Sequence, residues 1–113
     1  MFELGIDKPL NIALDFDDTY TADPELWDAF IQAAKSRGHT VHIVTMRNEK
    51  ISGPPRRALP NEPLHLTDLR GKCKFMKDKG IDIDIWIDDK PNYVLFYHRH
   101  AGIKEPYDPF DRV

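Results

Sequence analysis

The alternation of short apolar runs with a helical segment most constrains how this chain folds. Residues 11–16 form an apolar run too short for a helix, and residues 40–46 form a β-branched run of the same kind. Both patterns predict buried strands. Between them, Asp23 and Pro24 suit the start of a helix and Gly38 suits its end. A strand, a helix and a second strand at this spacing predict a right-handed parallel crossover.

The second half of the chain continues the alternation. Residues 64–67 predict a brief strand, residues 68–79 a helix, and residues 81–89 a further strand. Residues 92–98 fit a short helix or a strand equally well. The pattern predicts an α/β fold with a mainly parallel sheet, a Rossmann-like three-layer sandwich, as a single domain over residues 1–113.

Two segments predict irregular structure. Residues 48–63 hold four prolines and a glycine, which predicts a long loop. Residues 105–113 are typical of a docked or frayed tail.

Composition excludes several classes of protein. A net charge of −3 gives no electrostatic basis for a bulk DNA-binding or membrane-coating surface. Cys73 is the only cysteine, so no internal disulfide can form, and a reducing compartment is expected. No apolar run approaches the ~18 residues of a membrane span. We therefore expect a soluble cytoplasmic protein.

Carboxylates follow two of the predicted strands. Asp15, Asp17 and Asp18 end the first strand, and Asp88 and Asp89 end the last. Because parallel strands end at the same edge of a sheet, where ligands bind in open α/β folds, the two acidic groups should meet. Their repulsion calls for a cation, and oxygen ligands of this kind suit Mg²⁺.

Groups that bind anions lie near the same edge. Thr45 ends the second strand, and Lys72 and Lys74 lie close to the start of the basic helix. The sequence thus predicts a hydroxyl and an ammonium group beside the cation site.

Four segments together resemble the signature motifs of the haloacid dehalogenase superfamily of phosphohydrolases. In chain order they are "LDFDDTYT", "HIVTM", "GKCK" and "IWIDDKP". Each motif is weak alone, but their order and their positions at strand ends make the set specific.

The resemblance implies catalytic roles. Asp15 would be the nucleophile that forms an aspartyl-phosphate. Asp17 would protonate the leaving group and then activate water. Thr45 would donate a hydrogen bond to the phosphoryl oxygens, and Lys72 would neutralise their charge. The implied activity is Mg²⁺-dependent hydrolysis of phosphomonoesters.

The resemblance also implies a metal site and a substrate site. The metal ligands would be Asp15, Asp88 and the backbone carbonyl of Asp17, and Asp89 would either bind the ion or orient the other ligands. The groups that bind the phosphorylated substrate would be Asp18, Thr19 and Arg47, together with Thr45 and Lys72.

Two positions differ from the family pattern or are ambiguous. Asp18 stands where the family usually has glycine, and aspartate is among the few residues that tolerate a positive φ. Either Lys72 or Lys74 could be the motif lysine, and we prefer Lys72 because it is nearer the start of the predicted helix.

Short connections limit the insertions. Residues 20–23 and 47–63 are too short for a large cap domain, so the resemblance implies a capless member with an open site. An open site favours a bulky substrate such as a nucleic-acid end or a phosphoprotein, and a nucleotide remains compatible. A small substrate would require closure by the proline-rich loop or by a second subunit of a homo-oligomer.

Rival functions fit less well. A response-regulator receiver carries its phosphorylated aspartate in mid-chain, where this chain has Thr45. Ser36 and Ser52 lack the context of a nucleophilic serine. The alternative that stays open is a non-catalytic module that binds phosphate or a partner protein.

Residues outside these motifs receive structural interpretations. His98 and His100 lack a zinc-ligand pattern and are predicted at the surface. Trp86 is predicted in the core.

Overall fold

The structure, a computed structural model, describes residues 5–98. Its strands are β1 (Asn11–Leu14), β2 (Thr40–Thr45), β3 (Leu64–Leu66) and β4 (Ile85–Ile87), and its helices are α1 (Pro24–Ser36), α2 (Gly53–Ala58), α3 (Lys72–Asp78) and α4 (Asn92–Leu95). The strands form one all-parallel sheet in the order β3-β2-β1-β4. This confirms the predicted α/β class and the parallel sheet.

The central strand β1 is apolar on both faces. Ile12 and Leu14 pack on the face covered by α1, where Ile31 is buried, whereas Ala13 packs on the opposite face with Met76 of α3. Parallel sheets require this cover because both of their faces are apolar. The arrangement is consistent with a Rossmann-like sandwich.

Helix α1 begins and ends where the sequence predicts. The Asp23 side chain accepts a hydrogen bond of 3.2 Å from the Leu26 N–H, and Pro24 occupies the first turn. Gly38 follows the helix with a φ of +88°, a conformation that glycine adopts without steric cost.

The prediction that residues 48–63 form an irregular loop is wrong in part. The segment contains a 3-10 turn, Glu49–Ile51, and the helix α2. Pro54 and Pro55 lie in the first turn of α2. The first N–H groups of a helix have no partner within it, so these prolines remove no helical hydrogen bond.

Three predicted elements are shorter than expected by two residues or more. The predicted helix over residues 68–79 begins only at Lys72, because Asp68 and Leu69 adopt φ values of 53° and 67°, outside the right-handed helical region. The predicted strand over residues 81–89 is limited to β4, whose described partner is the short strand β1. β1 ends at Leu14 because the chain turns over Phe16–Tyr20, where Asp18 has a φ of 64°.

The remaining sequence expectations have mixed outcomes. Residues 92–98 contain the short helix α4 rather than a strand. Trp86 is partly buried against the α3-side core, as predicted. His100 and residues 105–113 lie outside the described residues. Among residues 5–98, no helix has the length and apolarity that a membrane crossing requires.

Hydrogen-bonded polar side chains link the exposed Lys79, which follows α3, to two buried histidines in the sheet. Lys79 Nζ lies 2.8 Å from His65 Nδ1, His65 Nε2 lies 3.0 Å from His42 Nδ1, and His42 Nε2 lies 3.1 Å from Asn11 Oδ1. An ammonium group can only donate, so His65 accepts at Nδ1 and donates from Nε2–H to His42. His42 then donates to Asn11, and both histidines are neutral.

The neutral histidine pair predicts that the folded protein loses stability in acid. Burial and the charge of Lys79 lower the pKa of His65 to about 4, below its ordinary value of 6.5. The unfolded chain therefore binds this proton more tightly than the folded chain. The contribution of His65 to the unfolding free energy is fully present above pH 6.5 and is lost as the pH drops towards 4. We expect His65 to account for about 2 kcal/mol of unfolding free energy lost between pH 7 and pH 5.

The measurement is the difference in unfolding free energy between the native chain and His65→Gln, obtained from urea titrations across this pH range. Carboxylates that titrate in the same range affect both proteins and cancel in the difference. The amount by which the unfolding free energy of the native chain exceeds that of His65→Gln should become smaller as the pH falls. A difference that is independent of pH would contradict the assignment of a neutral histidine pair.

Candidate active site

Two acidic groups meet at the carboxyl edge of the sheet. Asp15 follows β1, and Asp88 and Asp89 follow β4, its neighbour in the sheet. The Asp15 N–H donates a hydrogen bond of 3.0 Å to the Ile87 carbonyl, which extends the pairing of the two strands to their ends. Carboxylate oxygens of Asp15, Asp88 and Asp89 lie within 4.8 Å of one another. The acidic groups thus meet where the sequence predicts.

A buried lysine joins two of these carboxylates. Lys72 is 3% exposed, and its Nζ lies 2.8 Å from Asp15 Oδ1 and 2.5 Å from Asp88 Oδ2. Lys72 is the first residue of α3, so its side chain reaches the strand ends. Lys74, the alternative motif lysine, is exposed and pairs with Asp78 on the same helix. The geometry therefore favours Lys72 over Lys74 as the cation of the site.

The environment of Asp15 opposes its negative charge. Burial raises the pKa of Asp15 to about 7, the Lys72 ammonium works against this shift, and Asp88 adds to it. A carboxyl group in this setting gains from any further positive charge nearby. The site is therefore short of positive charge relative to its carboxylates.

Thr19 connects Asp15 with Asp89. Its hydroxyl oxygen lies 3.0 Å from Asp15 Oδ2 and 3.1 Å from Asp89 Oδ1, and it accepts a hydrogen bond of 3.1 Å from the Asp89 N–H. One hydroxyl proton serves one carboxylate at a time, so Thr19 donates to either Asp15 or Asp89. The buried Thr19, which the sequence suggested as a substrate-binding group, orients the two carboxylates in this structure.

Asp17 forms a two-point ion pair with Arg47. Arg47 Nε donates to Asp17 Oδ2 at 2.9 Å, and Nη2 donates to Oδ1 at 2.7 Å. The Arg47 guanidinium also donates to the Ile51 carbonyl at 2.7 Å and lies 5.5 Å from the centre of the Phe16 ring. The hydrogen bonds to Asp17 raise the pKa of Arg47. The sequence suggested Arg47 as a substrate-binding residue but did not predict this partner.

Asp18 adopts a left-handed backbone conformation in the turn after β1. Its φ is 64°, in the left-handed region, and its N–H donates to the Thr21 hydroxyl at 2.9 Å. A left-handed conformation at a residue other than glycine costs about 1 kcal/mol, and aspartate is among the residues that tolerate it best. The turn after β1 therefore forms without glycine, and Asp18 lies at the border of the cleft.

Thr45 lies at the end of β2, 1% exposed, and borders the same cleft as Asp15 and Lys72. Its hydroxyl oxygen lies 3.3 Å from the Arg47 N–H. Thr45, the last residue of β2, thus lies at the same edge of the sheet as the acidic group, as predicted.

The cleft also has a side that the sequence did not predict. Its further lining residues come from the chain after β2, the β3–α3 loop, and the region of α4: Met46, Leu69, Lys90, Tyr93 and His98. His98, which the sequence predicts at the surface, is partly buried and lines the cleft. Periodicity cannot identify such residues, since they lie in loops or in a single helical turn.

Comparisons with known proteins found no match: no family model, no curated protein and no solved structure matches this chain. The interpretation of the cleft therefore depends on the chemistry and geometry of its own residues.

Proposed function

We propose that this protein is a Mg²⁺-dependent phosphomonoester hydrolase of the haloacid dehalogenase type, with the capless Rossmann-like fold of that superfamily. The observation that carries the proposal is the buried Lys72 ammonium between Asp15 and Asp88, with Asp89 and Thr45 in the same group of residues. Carboxylates that repel one another around a single lysine are costly for folding, which is typical of groups retained for chemistry.

Asp15 is the nucleophile in this proposal. A carboxylate oxygen of Asp15 attacks phosphorus, and the bond between phosphorus and the leaving oxygen breaks. The Thr19 hydroxyl, 3.0 Å from Asp15 Oδ2, fixes the orientation of the carboxylate. Covalent catalysis of this kind divides one difficult displacement into two easier ones.

Asp17 is the acid and base. It donates a proton to the leaving oxygen and later removes one from the water that attacks the aspartyl-phosphate, which releases phosphate and Asp15. Both Asp17 oxygens accept hydrogen bonds from Arg47 in the structure. Each carboxylate oxygen has two lone pairs, so the Arg47 pair leaves sites on Asp17 for the proton that it transfers.

Lys72 and Thr45 bind the phosphoryl group. The Lys72 ammonium offsets negative charge on the phosphoryl oxygens, and the Thr45 hydroxyl donates a hydrogen bond to them. Both groups are buried, so their positions are fixed before the reaction, and little reorganisation is required.

The donor set fits Mg²⁺. The oxygens of Asp15, Asp88 and Asp89 lie within 4.8 Å of one another, and hard oxygen donors of this kind suit the ion. The backbone carbonyl of Asp17 is a further ligand in the proposal. When bound, Mg²⁺ would offset the repulsion between the carboxylates and the phosphoryl group.

Removal of the metal should stop phosphate release. With EDTA, we expect release from phosphomonoesters to fall to background and to recover on addition of Mg²⁺. Asp88→Asn removes one ligand charge, so the Mg²⁺ concentration for half-maximal activity should rise by at least about tenfold. The measurement is a colorimetric phosphate assay over a Mg²⁺ titration.

Asp82→Asn provides the matched control, because Asp82 is exposed and does not line the cleft. Its Mg²⁺ dependence should equal that of the native chain. Full activity in EDTA would contradict the metal assignment. A rise in melting temperature with phosphate compounds but no turnover would favour a non-catalytic binding module instead.

A further inference from the structure

We propose that the aromatic wall of the cleft, defined as Tyr93 and His98 with Met46 and Leu69, binds a nucleobase, so that the substrates are nucleoside monophosphates. This inference rests on the proposed function, because it concerns the leaving group of the same reaction. It narrows the substrate from phosphomonoesters in general to those with a planar heteroaromatic group.

The wall borders the same cleft as the reacting groups. Tyr93 and His98 line the cleft together with Asp15 and Lys72. The two rings have centroids 5.0 Å apart and an interplanar angle of 37°, so they pack against each other as a tilted aromatic pair at the border of the cleft. A substrate whose phosphoryl group lies at Asp15 would therefore direct its leaving group along an aromatic surface.

The backbone holds this wall in place. The Leu69 N–H donates to the Met46 carbonyl at 3.0 Å, and the His98 N–H donates to the Leu69 carbonyl at 2.7 Å. These bonds connect the chain after β2, the β3–α3 loop and the chain after α4. Three of the four wall residues are thus joined through their backbones, which reduces the entropy cost of ordering them on binding.

The same loop carries backbone strain. Asp68 and Leu69 both have positive φ values, 53° and 67°, and left-handed backbone is rare for leucine. Strain of this kind persists only where the surrounding structure imposes it, and it is concentrated at functional sites. The strained residue Leu69 is itself part of the wall.

The polar groups of the wall favour a nucleobase over a hydrocarbon ring. Tyr93 carries a hydroxyl, and the Lys90 side chain borders the same cleft. These groups can bond the heteroatoms at the edge of a base, whereas a phenyl ring offers none. Aromatic side chains stack on every type of base, so the wall predicts affinity for bases without choosing among them.

Binding to the Asp15→Asn chain tests the wall separately from turnover. Isothermal titration calorimetry with Mg²⁺ would compare adenosine 5′-monophosphate with ribose 5-phosphate, which has the same phosphate and sugar but no base. We expect the nucleotide to bind at least about tenfold more tightly. Equal affinities would overturn the inference. Tighter binding of phosphotyrosine than of the nucleotide would overturn it in favour of an aryl phosphate.

Substitutions in α4 identify the source of the preference. Tyr93→Ala should reduce the nucleotide's advantage over ribose 5-phosphate to within about threefold, and Tyr93→Phe should retain most of it because the ring remains. Leu95→Ala is the matched control, since Leu95 lies in the same helix, is exposed and does not line the cleft. An unchanged preference in Tyr93→Ala would overturn the inference.

Turnover by the native chain separates this inference from the proposed function. Release of phosphate from both compounds at equal kcat/KM would overturn the nucleobase assignment and leave the hydrolase intact. Preferential binding of the nucleotide without phosphate release from any compound would support the wall and overturn the hydrolase.

Discussion

Asp15→Asn should lower phosphate release by at least about 10³-fold, because the amide cannot form the covalent intermediate. The fold should survive. The raised pKa of Asp15, about 7, means that the folded chain binds this proton more tightly than the unfolded chain, so ionisation of Asp15 destabilises the fold as the pH rises through 7. A neutral asparagine should therefore leave the unfolding free energy at pH 8 at least as high as that of the native chain.

Two measurements check this result. Steady-state phosphate release gives the loss of activity, and acid quenching with a phosphorus-labelled substrate detects the aspartyl-phosphate, which should be absent from Asp15→Asn. Asp78→Asn is the matched control, because Asp78 is exposed and pairs with Lys74 outside the cleft. Full activity or undiminished labelling in Asp15→Asn would reject Asp15 as the nucleophile.

Lys72→Met should lower the unfolding free energy more than any other substitution named above. The Lys72 ammonium lies 2.8 Å from Asp15 Oδ1 and 2.5 Å from Asp88 Oδ2, and all three side chains are at most 8% exposed. Its removal takes away the charge that lowers the pKa of Asp15, so Asp15 takes up a proton and the buried Asp88 is left without its cation. Breaking a buried ion pair by removal of one partner costs about 3–5 kcal/mol, and we expect a loss of that size in urea unfolding at pH 7.5.

Mg²⁺ should restore part of this stability, because an ion that binds only the folded chain raises its stability with concentration. Lys74→Met is the matched control. It removes an exposed ion pair on the same helix and should change the unfolding free energy by less than about 0.5 kcal/mol. If Lys72→Met is as stable as Lys74→Met, the buried triad does not have the energetic role assigned to it. If the variant unfolds without Mg²⁺ and folds with it, the assignment is supported.

The predictable part of the fold depended on local chemistry. Asp23, Pro24 and Gly38 mark the ends of α1 through capping, fixed proline φ and glycine freedom, all of which act over a few residues. The same reasoning failed for Pro54 and Pro55, which were treated as helix breakers although they lie in the first turn of α2. Composition alone does not indicate whether a proline occupies a first turn or an interior position.

The sequence predicted which acidic residues of the candidate site follow the ends of strands. Asp15, Asp88 and Asp89 follow apolar runs, and parallel strands bring such residues to one edge. The sequence alone left both Lys72 and Lys74 as candidates for the cation of the site, because the predicted helix begins earlier than the observed α3. Only the start of α3 determines which lysine reaches the carboxylates.

The sequence by itself determined the α/β class and the carboxylates that gather at the sheet edge, because strand and helix periodicity and the direction of parallel strands are local or geometric properties. Only the tertiary structure decided that Arg47 holds Asp17, that Lys72 lies between two carboxylates, and that Tyr93 and His98 border the cleft. These contacts join residues from separate loops and elements, and loop backbone such as the left-handed Leu69 leaves no periodic signal in the chain.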